Sequence, residues 1–189
     1  PLGPIQLVDE TSIELGAKIA RATRAAMGKS YPNDQIDEIL FWMEDKGRLG
    51  RKANAGFFNY NENGKREGFW TGLEEKYPLS KTTSNLTEVQ HRLMFIQALE
   101  AVSALEDGVL MDIREGDVGA VLGWGFAPWS GGPLSWLDIL GTPYAAERSQ
   151  ELCKTYGPRF DCPPLLADMG KNNEAFYDRF SPEKVDKTL

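Results

Sequence analysis

The chain has 189 residues, 41% hydrophobic and 26% charged, with a formal net charge of −7. That is the make-up of a globular protein with a core, and its acidity argues against a nucleic-acid or anionic-membrane surface. No apolar run approaches the roughly 20 residues of a membrane span, and a single histidine, His91, excludes a His-rich metal site.

The reading along the chain is helical nearly throughout. "TSIELGAKIARATRAAMG" predicts a helix with Thr11 or Ser12 as N-cap, Glu14 in the first turn and Gly28 as its stop. "NDQIDEILFWMEDKG" predicts a second, capped by Asn33, with Ile36, Ile39, Leu40 and Met43 spaced along one face. In "GFFNYNENGKREGFW" two aromatic segments flank Asn63-Gly64, which suits the tight turn of one small β-hairpin. "TTSNLTEVQ" is a polar boundary in which Asn85 or Thr87 caps the next helix. That helix, running to about Asp107, is apolar nearly all round (Leu86, Val89, Leu93, Phe95, Ile96, Leu99, Val102, Leu105), the pattern of a helix at the centre of a bundle. "DIREGDVGAVLGWG" predicts a short helix stopped by glycine. "GTPYAAERSQELCKTYG" predicts a longer one, with Thr142 as cap, Pro143 at its first position and Gly157 as terminator. "PPLLADMG" is one more short helix, and "SPEKVDKTL" is a polar, frayed end.

"GWGFAPWSGGP" is the densest cluster of glycine and aromatic residues. It lacks the third glycine, the preceding strand and the lysine of a phosphate-binding loop. It reads instead as a tight connection packed by Trp124, Phe126, Trp129 and Trp136, with Pro133 opening the next helix. The acidic residues Glu100, Glu106, Asp107, Asp112, Glu115 and Asp117 would suit a hydrolase only if two converged in a cleft. With Arg114 among them they read as a solvated helix face. His91 reads as a hydrogen-bonded packing residue, since no second base accompanies it. Cys153 and Cys162, without a secretory signal in view, read as reduced thiols of a cytoplasmic protein that serve in packing.

Two patterns recur. "GPIQLVD" (3–9) is answered by "GPLSWLD" (132–138), and "KANAGFF" (52–58) by "KNNEAFY" (171–177). The chain therefore reads as two related halves. Each G-P should open a short helix, with Pro4 and Pro133 in the first turn, where a missing N–H is harmless.

"PLGPIQLVDE", "GRLGRKANAGFFNY" and "EAVSALEDGVLMDIREGDVGAVLGWGFAPWSGGPLSWLDILG" together resemble the C-terminal region of 3-hydroxyacyl-CoA dehydrogenases, in the long form of multifunctional fatty-acid β-oxidation proteins. The resemblance implies an all-α fold of the 6-phosphogluconate dehydrogenase C-terminal-like type, built as two tandem helical repeats with one small β-hairpin. Residues 1–80 would be the first repeat, lacking its opening helix, and 85–189 the second. It implies a parent enzyme that oxidises 3-hydroxyacyl-CoA to 3-ketoacyl-CoA with NAD. The dinucleotide and a His–Glu pair would belong to an upstream domain, so no catalytic, cofactor-binding or metal-binding residue is assigned in this chain. Pro1, Leu2, Gly3, Pro4 and Leu7 would line the fatty-acyl pocket, and the chain would form the interface between repeats. Its partners would be the acyl-CoA substrate, its own N-terminal domains, a thiolase and a second copy of itself, with no nucleic acid and no membrane span. The alternative is a stand-alone, non-catalytic helical module for dimerisation.

Overall fold

A computed structural model describes residues 2–31, 35–80 and 85–181. Pro1, Asn33, the side chain of Ile36 and the polar end beyond Ser181 lie outside the described residues. The chain divides into two compact units, Pro1–Thr82 and Thr83–Leu189. The described residues are mainly helical, with one two-stranded antiparallel sheet.

The first unit begins with α1 (Pro4–Thr11) and α2 (Ile13–Met27). Ser12 separates them with φ 84°, and its side chain accepts from the Leu15 amide as the N-cap of α2. α2 ends at Gly28, whose φ of 55° few other residues adopt readily. α3 (Gln35–Asp45) packs on α2. Strands β1 (Phe58–Tyr60) and β2 (Arg66–Phe69) follow, with Phe58 opposite Phe69. Their turn is wider than two residues: Asn61 Oδ1 accepts from the Asn63 and Lys65 amides, and Gly64 has φ 69°. A short α4 (Leu73–Lys76), absent from the sequence reading, closes the unit. Its core gathers Ile13, Met43, Phe57, Phe58 and Tyr60.

The second unit is built on α5 (Leu86–Glu106), capped by Asn85. Only one face of α5 is buried, through Phe95, Ala98, Leu99 and Val102. Leu86, Leu93 and Ile96 are exposed, so α5 is a flanking helix of this unit and not its all-round centre. α6 (Ile113–Gly123) starts with a capping box formed by Asp112 and Glu115. α7 (Pro133–Leu140) carries Pro133 in its first turn and packs against α5 and α6. α8 (Thr142–Tyr156) ends at Gly157. α9 (Pro164–Asn172) lies along α8, and a short α10 (Phe176–Arg179), also unforeseen, packs on α7.

Three expectations are corrected. Thr142 does not cap α8: its hydroxyl donates to the Glu174 carbonyl, 2.7 Å, and so ties α8 to the segment after α9. In the glycine-aromatic connection Phe126 and Trp136 are buried, but Trp124 and Trp129 are 64% and 74% exposed. Asp117 is not on a solvated face: it is 1% exposed.

The units share a local design. α1 and α7 are each 8 residues long, and α2 and α8 are each 15. The residues between them, Ser12 and Gly141, have φ 84° and 86°. Asn54 and Asn173, which stand at the same place in the second recurring pattern, both take the left-handed conformation, φ 55° and 53°.

Candidate functional site

The two recurring patterns meet in space. In the first unit the Asp9 carboxylate, 1% exposed, accepts from the Phe57 amide (2.8 Å), the Phe58 amide (3.0 Å) and the Tyr60 hydroxyl (2.9 Å). In the second, Asp138 accepts from the Phe176 amide (2.7 Å) and the Tyr177 amide (3.1 Å). The Asp of each G-P segment thus clasps the aromatic pair that ends the other pattern. Each carboxylate satisfies backbone donors that no helix or strand reaches. The signal was in the sequence, since both patterns recur together and in the same order.

Burial pushes the Asp138 carboxyl above the usual carboxylate range, opposed by the two amides it accepts from. Burial and the Asp9 bond push the Tyr60 hydroxyl up. These groups are engaged by structural partners and hold the fold together.

The residues expected to line an acyl pocket fall at the start of α1. Pro1 lies outside the described residues. Gly3 is the N-cap of α1, and its carbonyl accepts from the Leu7 amide, 2.9 Å. Leu2 and Leu7 are 54% and 48% exposed, and Pro4 and Leu7 share one face a turn apart. The structure brings Leu2, Gly3, Pro4 and Leu7 to one end of one helix and leaves their apolar surface open. The contrast within the second unit is direct. Leu134 and Trp136, at the places of Ile5 and Leu7 in the recurring pattern, are buried under neighbouring helices.

Of the acidic residues, Glu100 and Glu115 line one cleft, between α5 and α6, and Glu115 is held there by backbone amides. Glu115 accepts from the Met111 and Asp112 amides, and Asp112 is held low by Arg114. Asp117 accepts from the Leu134 amide, the Ser135 amide and hydroxyl, and the Tyr177 hydroxyl, which caps the start of α7. Among the described residues no group of His, Cys, Asp or Glu is arranged to hold a metal. No described helix is long and apolar enough to cross a membrane. Cys153 donates to Asp161 and Cys162 is half-buried; both thiols are pushed up, the first by that bond and the second by burial.

The clefts of the second unit include two with mainly apolar walls. One, of about 580 Å³, runs between α5 and α6 and is floored by small residues including Ala101, Ala104, Gly116 and Ala120. The other, of about 500 Å³, lies between α5 and α7 and contains His91. His91 packs on Phe95 and Trp136, with ring centroids 5.9 and 6.4 Å away. Contrary to the sequence reading, its ring takes no hydrogen bond among the described residues.

Among known proteins, the chain is 34% identical over 182 residues to the fatty acid oxidation complex subunit alpha of Vibrio vulnificus. That alignment covers 94% of this chain and 25% of the relative, so the chain spans about a quarter of the relative's length. The family "3-hydroxyacyl-CoA dehydrogenase, C-terminal domain" matches residues 1–60, which contain α1 to α3, the Asp9 clasp and β1. Over those 60 residues, about a third of its length, the chain is similar to 3-hydroxyacyl-CoA dehydrogenase C-terminal domains.

Proposed function

We propose that this chain is the helical C-terminal region of a polypeptide that oxidises 3-hydroxyacyl-CoA to 3-ketoacyl-CoA with NAD. The observation that carries the reading is the likeness to a fatty acid oxidation subunit across nearly the whole chain, with the motif-bearing start matched to the dehydrogenase domain. On this reading α1 contributes Leu2, Pro4 and Leu7 to the wall of the acyl pocket. NAD belongs to an upstream domain, because the described residues do not fit it: the sheet they form is an antiparallel hairpin that feeds no phosphate-binding helix. A thiolase partner and a homodimer belong to the same proposal, as does a cytoplasmic setting.

We also read 1–80 and 85–189 as two copies of one helical repeat, with no counterpart of α5 among residues 1–80. The equal helix lengths, the matched φ values and the paired Asp clasps support it.

The test uses the full-length polypeptide. Leu7→Asp should raise KM for a long-chain 3-hydroxyacyl-CoA about tenfold, with little change for the four-carbon substrate. An equal change for both chain lengths overturns the lining role. A full-length polypeptide with no dehydrogenase turnover overturns the enzyme reading. It would favour the alternative of a non-catalytic helical interaction module, which the exposed Val118 and Leu122 of α6 and Trp124 just after it support.

A further inference from the structure

The α5–α7 cleft has the composition of a small-molecule site, with mostly apolar walls and two uncharged polar side chains, Gln90 at its exposed rim and the half-buried His91. Leu93, Met94, Trp129, Trp136 and Ile139 form its walls, and no Asp, Glu, Lys or Arg lines it. His91 is half-buried, and its ring has no hydrogen-bond partner among the described residues. Burial and the nearby Arg148 hold the imidazole below its usual range, so near pH 7 it is a neutral ring with one N–H to give. Arg148 itself is engaged by Glu88 and Glu151 and is not available to neutralise a ligand's charge.

We propose that this cleft binds an uncharged acyl group, its straight chain lying against Trp129 and Trp136 and its carbonyl oxygen accepting from His91. The lack of a charged lining residue selects against a carboxylate or phosphate head. The flexible or branched Met94, Leu93 and Ile139 suit an aliphatic chain. At about 500 Å³ the cleft falls within the size range of small-molecule sites, about 300–1,000 Å³. The site lies in the second unit, apart from the α1 lining, and neither depends on the other.

His91 is the only histidine, so it gives one unambiguous imidazole signal in proton–carbon NMR spectra of the 189-residue chain. Titration with the N-acetylcysteamine thioester of octanoic acid should move that signal saturably. Trp129→Ala, at a side chain too exposed to be needed for folding, should weaken binding about tenfold by calorimetry. His91→Leu should weaken it by about the same factor, whereas His91→Gln, which keeps an N–H donor, should stay within about threefold. No movement of the His91 signal, or a linear drift without saturation, overturns the site, as does unchanged affinity in both Trp129→Ala and His91→Leu. A stronger response to methyl phenylacetate than to the octanoyl thioester overturns the straight-chain assignment. A His91 signal that moves with protein concentration alone overturns the ligand site in favour of a contact between copies. Movement at Leu2 and Leu7 without movement at His91 sinks this proposal and leaves the α1 pocket standing.

Discussion

Asp9 and Asp138 do the same job with different support. Both close a helix that opens with Gly-Pro onto the amides of an aromatic pair. Asp9 has a third donor in the Tyr60 hydroxyl and is almost fully buried. Asp138 has no such third bond: the Tyr177 hydroxyl goes to Asp117, which also receives the first amides of α7. In the first unit one carboxylate takes the two amides and a tyrosine hydroxyl, whereas in the second the amides and the hydroxyl go to different carboxylates. The clasp is thus a property of the backbone arrangement, and its strength is set by the side chains around it.

The largest effect should come from removing the concentrated version. Asp9→Ala strands two buried amides and a hydroxyl, and should cost the first unit about 4 kcal/mol. Asp138→Ala should cost the second about 2 kcal/mol. Amide hydrogen exchange, read unit by unit, measures both, and equal costs would break the comparison. A smaller effect is expected at Gly56. A Cβ there would fall on the Asp9 carboxylate, while Ala175 occupies the matching place in the second unit. Gly56→Ala should cost about 2 kcal/mol by overpacking, and a neutral result in urea unfolding would mean that Asp9 is not held against that backbone.

The smallest effect is on pH dependence. Burial raises the Asp138 carboxyl in the folded state, so between the unfolded and folded values the native chain holds a proton that the unfolded chain has released. Its contribution is therefore fullest at low pH and is lost as pH rises through the raised folded value. Asp138→Asn should flatten this part of the profile of the second unit upward from the ordinary carboxylate value of about pH 4. An unchanged slope in urea midpoints would show that Asp138 titrates no differently on folding.

Much of the framework was readable from local chemistry. Ser12, Asn85, Gly28 and Gly157 mark helix ends because caps and positive-φ stops act over a few residues. Asn63-Gly64 likewise marked the hairpin, though not its wider turn. What failed depended on distant partners. Asp117 looked like a surface acid because its neighbours are charged, yet the start of α7 covers it. Trp124 and Trp129 looked like core residues because they are large, and hydrophobicity carries no address for the surface that would receive them. The cleft at His91 was invisible for the same reason: α5 and α7 are separated by a helix and a loop in sequence, and only packing brings them face to face.

The clasps also bear on how each unit finds its fold. Asp9 and Phe57 are 48 residues apart in sequence, Asp138 and Phe176 only 38. Loop-closure entropy grows with the logarithm of length, so closing the longer ring costs only about 0.2 kcal/mol more. The two rings are nearly matched as kinetic obstacles even though they enclose different structure. The tip of the hairpin at Asn63-Gly64 lies outside the first ring. Chain inserted at that tip would leave the ring-closing search of the first unit untouched, whereas the same insertion between α2 and α3 would lengthen it.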